Sequence, residues 1–186
     1  MATLVKSIFM FATTVLFFEV QAIVPVNPGH PLTVCEVLED LAAYRGKIIE
    51  VRGEWQGGYL IDRCPPLRTG NHTWPNAILT VQPDDFMVRI QEPVNWRMDA
   101  DAYNRADRDF IRAARSKEES VVKATFIGRL DARESLFLVT EGVPRPIPGG
   151  FGHLGVFPAR LVINTVKDLV VSPGTRLPGV LTGDPQ

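Results

Sequence analysis

Charge of one sign is missing from this chain. Twenty basic and 21 acidic residues leave a formal net charge of -1 over 186 residues. With neither sign dominant there is no electrostatic footprint for a phosphate polymer or an anionic lipid, so nucleic acid is not an expected partner. Histidine is scarce: only His30, His72 and His153 occur. None lies at a ligand-like spacing from another, which argues against a metal centre; a mixed site of His72 with Cys64 is the alternative. No serine sits in a nucleophile elbow and no Walker loop is present, so neither a catalytic set nor a cofactor is expected. Long hydrophobic runs are lacking too. The greasiest stretch, Ser7 to Phe18, is shorter than the ~20 residues a spanning helix needs, and Glu19 closes it.

That stretch follows the lone charge of Lys6 and ends in Val20-Gln21-Ala22. Positive start, short apolar centre and small residue at the exit are the parts of a secretory signal. Residues 1–22 are therefore expected to be a signal peptide cleaved after Ala22. The mature protein would be secreted or periplasmic, with no stable membrane span. Cysteine occurs only as Cys35 and Cys64. Outside the cytoplasm thiols tend to pair, so a disulfide between them is expected.

The remainder has ordinary globular composition, with 45% hydrophobic and 22% charged residues, enough for one domain. Residues 23–32 hold three prolines and form an extended lead-in. Thr33 with Glu36 three places on makes a capping box, and Val34, Val37, Leu38 and Leu41 recur at helical spacing until Gly46. Ile49, Val51 and Trp55 alternate with Glu50, Arg52 and Glu54, the pattern of a half-buried strand. Gly57-Gly58 turns the chain into Tyr59-Leu60-Ile61, and Ala77–Val81 reads as a third strand. Phe86–Ile90 reads as a further short one. From about Met98 to Lys117 a charged helix carries an apolar stripe of Ala102, Ala106, Phe110, Ile111 and Ala114. A strand over Val121–Leu130 with a return over Leu136–Val139 precedes the last strong strand, Leu161–Val171.

This order predicts a mainly β (α+β) protein: an OB-fold-like antiparallel five-stranded barrel with an N-terminal helix. A charged helix lies between strands 3 and 4, and a hairpin is inserted before the last strand. Residues 33–171 form the single domain, and residues 172–186, rich in Pro and Gly, a disordered tail. An open antiparallel sheet with two helices on one face is the competing architecture.

Three segments carry a resemblance. They are Val34-Cys35-Glu36 through Gly46-Lys47 to Val51-Arg52-Gly53; Thr73-Trp74-Pro75; and Gly150-Phe151-Gly152-His153-Leu154-Gly155 through Pro158-Ala159-Arg160-Leu161. In these the chain resembles a group of small, uncharacterised, secreted bacterial proteins. The resemblance implies secretion and a barrel-like fold, and transfers no catalytic residue.

The same Gly150–Gly155 run has dinucleotide-loop spacing. A Pro-rich loop precedes it and a strand follows, which is the wrong context for holding a pyrophosphate. It reads instead as a connection passing close to the barrel, or as a binding loop carrying Phe151 and His153. Asp99-Ala100-Asp101 fails as a calcium loop because Tyr103 and Asn104 hold the fifth and sixth places. An Asp-rich helix start explains the pair. Asn71-His72-Thr73 matches a glycosylation sequon, a frequent chance match. Trp55, Tyr59, Trp74 and Trp96 lie in or beside the early strands and loops, where such barrels stack aromatics on ligands; Trp55 reads as core, and Trp74 is either packed under a loop or a ligand contact.

The expected function is a secreted, non-catalytic binding module for a sugar, a peptide or a partner protein. Trp74, His72, Phe151 and His153 are the candidate ligand contacts. The alternatives are a small extracytoplasmic hydrolase using His153 or His72, and a structural cell-envelope protein.

Overall fold

The computed structural model describes residues 29–70, 72–116, 118–138, 147–152 and 155–179. The expected signal segment, most of the lead-in, Asn71 of the sequon, His153 and residues 180–186 lie outside the described residues.

Thr33 starts the first helix as its sequence predicts. Its hydroxyl accepts the Glu36 backbone N–H at 3.2 Å, and the Glu36 carboxylate accepts the Thr33 N–H at 2.7 Å. These bonds, the backbone one foremost, hold the Glu36 carboxyl below its ordinary pKa. Helix α1 spans Val34–Glu39. It breaks at Asp40, whose side chain caps α2 over Leu41–Tyr44. The disulfide Cys35–Cys64 is present, its Cα atoms 5.8 Å apart, and pins α1 to the loop after the second barrel strand.

Five strands close into a barrel: β2 (Ile48–Trp55), β3 (Tyr59–Ile61), β6 (Ala77–Val81), β7 (Ser120–Ala132) and β10 (Ala159–Pro173). Around the ring they run β2-β3-β6-β10-β7 and return to β2. The short strand β1 (Leu32–Thr33) adds to β2 in parallel. The expectation of a purely antiparallel barrel is corrected here. An odd number of strands cannot alternate direction around a closed ring, and the odd pair is β6 with β10, which run parallel.

Alternation decides what faces inward. Ile49, Val51 and Trp55 of β2, Leu60 of β3, Ile78 of β6, Phe126 and Leu130 of β7, and Leu161 and Ile163 of β10 form one interior cluster. Gly128 lies on β7 where a Cβ would collide with the Val162 carbonyl, so the two strands pass closely there. Helix α4 (Ala100–Ala114) packs against β10 and β7, with Ala106 and Ala113 in the interior cluster and Phe110 packed against it. Asp99 caps it, accepting the Ala102 N–H at 3.0 Å.

Three further expectations are corrected. Phe86–Gln91 is a helix, α3, not a strand; the Asp85 carboxylate accepts the Met87 N–H at 2.9 Å and starts it. Phe137–Leu138 (β8) does not return on β7, whose two edges are already taken by β2 and β10. It pairs with Ile147–Pro148 (β9) in a separate two-stranded sheet inserted before the last strand. Residues 172–179, read as part of a disordered tail, continue β10 to Pro173 and then lie against the barrel through several hydrogen bonds. Among the described residues no helix is long and apolar enough to cross a membrane.

Candidate binding face

The β3–β6 wall is apolar on both sides. Leu60 and Ile78 point into the barrel, while Tyr59, Ile61 and Ala77 form a second buried cluster outside it, with Leu79 packed alongside. Two segments cover that outer face. Phe151 and Phe157 come from the connection between β7 and β10, and Leu177 from the chain after β10. The rings of Tyr59 and Phe157 lie 5.5 Å apart.

The covering loop is tightly built. Phe151 and Phe157 exchange backbone bonds of 2.7 and 3.1 Å. Gly150 has no room for a side chain: a Cβ there would strike the carbonyls of Phe157 and Gly155 and approach the Trp74 ring at 2.9 Å. The glycine-rich run thus serves close passage of backbone, one of the two uses its composition allowed.

Below the loop lies a cluster of charge. Asp131 and Arg160 face each other across β7 and β10 and join through the Arg160 Nε at 2.8 Å. Arg129 Nε reaches the same carboxylate at 2.7 Å, and its Nη2 holds the Glu92 carbonyl at 2.6 Å, tying down the end of α3. The guanidinium carbons of Arg160 and Arg133 stand 4.9 and 5.2 Å from the centre of the Phe151 ring, within range of cation–π attraction. Asp131 is 2% exposed, so its two arginine partners are what make burial of its charge tolerable. Glu92 feels the same neighbourhood: partial burial first, then the nearby Asp131 carboxylate, pushes its pKa up.

The other rim of the face is polar. Glu54 points outward from β2 yet is 7% exposed. It accepts the Gln56 Nε2 at 2.8 Å and the backbone N–H of Leu177 at 3.0 Å. Gln56 Nε2 also donates to the Leu177 carbonyl at 2.8 Å, and the Tyr59 hydroxyl donates to Gln56 Oε1 at 3.0 Å. Both polar groups of one residue's backbone are therefore held by side chains, not by a strand ladder. Beside Leu177 and Pro178 a cleft of ≈ 560 Å³ opens, lined by Ile61, Asp62, Arg63, Cys64, Pro75 and Asn76 among others.

The four sequence-predicted contacts fare differently. Phe151 belongs to the cover of this face and is 6% exposed. Trp74 has no exposed surface; it is a pin beneath Gly150. His72 lies on β5 (His72–Thr73), which pairs with β4 (Arg68–Thr69), and its ring meets Trp74 edge-on at 4.5 Å. His153 lies outside the described residues. Sequence reasoning missed Glu54, Gln56 and Leu177. The available signal was that Tyr59-Leu60-Ile61 does not alternate: a run apolar at every place means a strand covered on both faces. Among the described residues no group of three or more His, Cys, Asp or Glu is placed to hold a metal ion.

No family model, no curated protein and no solved structure matches this chain.

Proposed function

We propose that the chain is an extracytoplasmic binding module on an OB-like barrel, taking its ligand along the outer face of β3 and β6. Numbered by chain order, the five barrel strands follow one another around the ring as first, second, third, fifth and fourth. That is the order of an oligonucleotide/oligosaccharide-binding barrel. Such barrels bind on the face of their second and third strands, between the first–second and fourth–fifth loops. Here those are β3, β6, residues 56–58 and residues 133–158.

One observation carries the reading: this face is an apolar floor with a hydrogen-bonding rim of Glu54, Gln56 and Tyr59, roofed by a loop from the fourth–fifth connection. Such a combination of apolar contact and a few placed polar groups suits a ligand site. The disulfide agrees with an oxidising compartment. A sugar chain or a polypeptide fits the floor; the balanced net charge disfavours nucleic acid.

The test is to titrate isotope-labelled mature protein with glycan and peptide panels and follow backbone amide shifts. Shifts concentrated at Tyr59, Ile61, Leu79 and residues 149–157 are expected. A ligand whose shifts fall only on α3 and α4, or silence from both panels, would refute the assignment of this face.

A further inference from the structure

We infer that this face is a site for an extended polypeptide carrying an aliphatic residue, and that Leu177 of the chain itself occupies it in cis. The inference rests on the reading of the β3–β6 face as the ligand site and names the ligand class.

The chemistry of the grip identifies the occupant. Glu54 accepts an amide N–H, and Gln56 donates to the carbonyl of the same residue. The donor and acceptor of one residue are gripped together, and the occupant held there is extended main chain. The Leu177 side chain meanwhile packs on the apolar cluster. Main-chain bonds supply generic affinity and a side-chain pocket supplies selectivity, the division of labour of extended-peptide recognition.

The upstream anchors sit apart from this grip. The Gly174 N–H donates to the Glu119 carbonyl at 3.1 Å, the Thr175 hydroxyl to the Glu119 carboxylate at 3.1 Å, and Arg176 Nε to the Ser120 carbonyl at 2.8 Å. These tie residues 174–176 to the start of β7, so Leu177 can leave its seat while the segment stays attached. Exchange has a driving force. The cleft beside Leu177 and Pro178 gives a peptide that fills it more surface to bury than the Leu177 side chain alone has. The in-cis segment thus sets a threshold that an incoming peptide must exceed, because its effective concentration is high.

The test uses full-length mature protein and a fluorescent peptide with the sequence of residues 174–186, followed by anisotropy. Wild type is expected to bind weakly, since its own segment competes. Leu177→Asp, which expels the in-cis side chain, is expected to bind the peptide at least about tenfold more tightly. Adding Glu54→Ala, which removes the acceptor, to Leu177→Asp is expected to remove that gain. Should Leu177→Asp melt far below wild type, Leu177→Ala takes its place. A folded variant that binds no better than wild type overturns the inference. If glycans still shift Tyr59 and Ile61, only the peptide assignment fails; if no ligand reaches this face in either experiment, the binding-face reading fails with it.

Discussion

The two apolar clusters share a wall and differ in what closes them. The interior cluster is enclosed by strands that hydrogen-bond around a full ring, with residues of α1 and α4 packed into it. The outer cluster has the same β3–β6 wall as its floor, but its cover is one loop and one extended segment. The first is closed by backbone ladders. The second is closed by side chains: Arg160 and Arg133 on Phe151, and Glu54 and Gln56 on Leu177. Regions with few backbone bonds and small buried clusters open at lower free energy than the ladder-bound core. The comparison therefore assigns stability to the interior and reversible opening to the outer face.

The largest effect should come from the interior. Trp55 is 1% exposed and meets Phe110 and Phe126 with ring centres 5.0 and 5.3 Å away. Trp55→Ala is expected to cost about 3–5 kcal/mol, a large part of the stability of a domain this size. Urea denaturation measures it, and a loss below about 1 kcal/mol would break the claim that this cluster is the seat of stability.

A smaller effect is expected outside. Gly150→Ala must push the cover away from Phe157 and Trp74, at about 1–3 kcal/mol. Because the loop can lift without opening the barrel, amide exchange should speed up at Phe151 and Phe157 but not at Val51 or Phe126. Equal acceleration in both sets would show that cover and barrel open as one unit.

The smallest effect belongs to Glu92. Its pKa lies above the ordinary value, so the folded state binds its proton more tightly than the unfolded state does. Its contribution to stability is complete below the unfolded value and is lost as pH rises through the folded one. Relative to wild type, Glu92→Gln should gain stability as pH rises across that window. With the side chain 57% exposed, the gain is under about 0.5 kcal/mol. Thermal melts of both proteins across the window check the sign.

Much of the interior was legible in the sequence because its signals are local and periodic. Thr33 and Glu36 announce a cap, Ile49, Val51 and Trp55 alternate, and the stripe on α4 repeats at helical spacing. The outer face was not, for reasons that differ by residue. Glu54 reads as the solvent side of an alternating strand, and its bond to the Leu177 amide, 123 residues away, has no local signal. Leu177 lies among prolines and glycines, a composition that signals disorder unless a groove is there to hold it. Phe86, Val88 and Ile90 alternate as a strand would, yet Val88 is buried while Phe86 and Ile90 are 71% and 64% exposed. The Asp85 cap and the Arg129 anchor at the far end of α3 decide that segment, and neither is a matter of periodicity. Trp74 has the composition of a ligand platform, but its partner is backbone made approachable by Gly150.

Hydrogen exchange at the Leu177 amide tests the central claim most directly. In wild type the account predicts slowed exchange of this amide, and loss of that protection in Glu54→Ala while the Gly174, β2 and β7 amides keep theirs. A Leu177 amide that exchanges in wild type as fast as an unstructured peptide would contradict it, leaving the outer face without its side-chain latch.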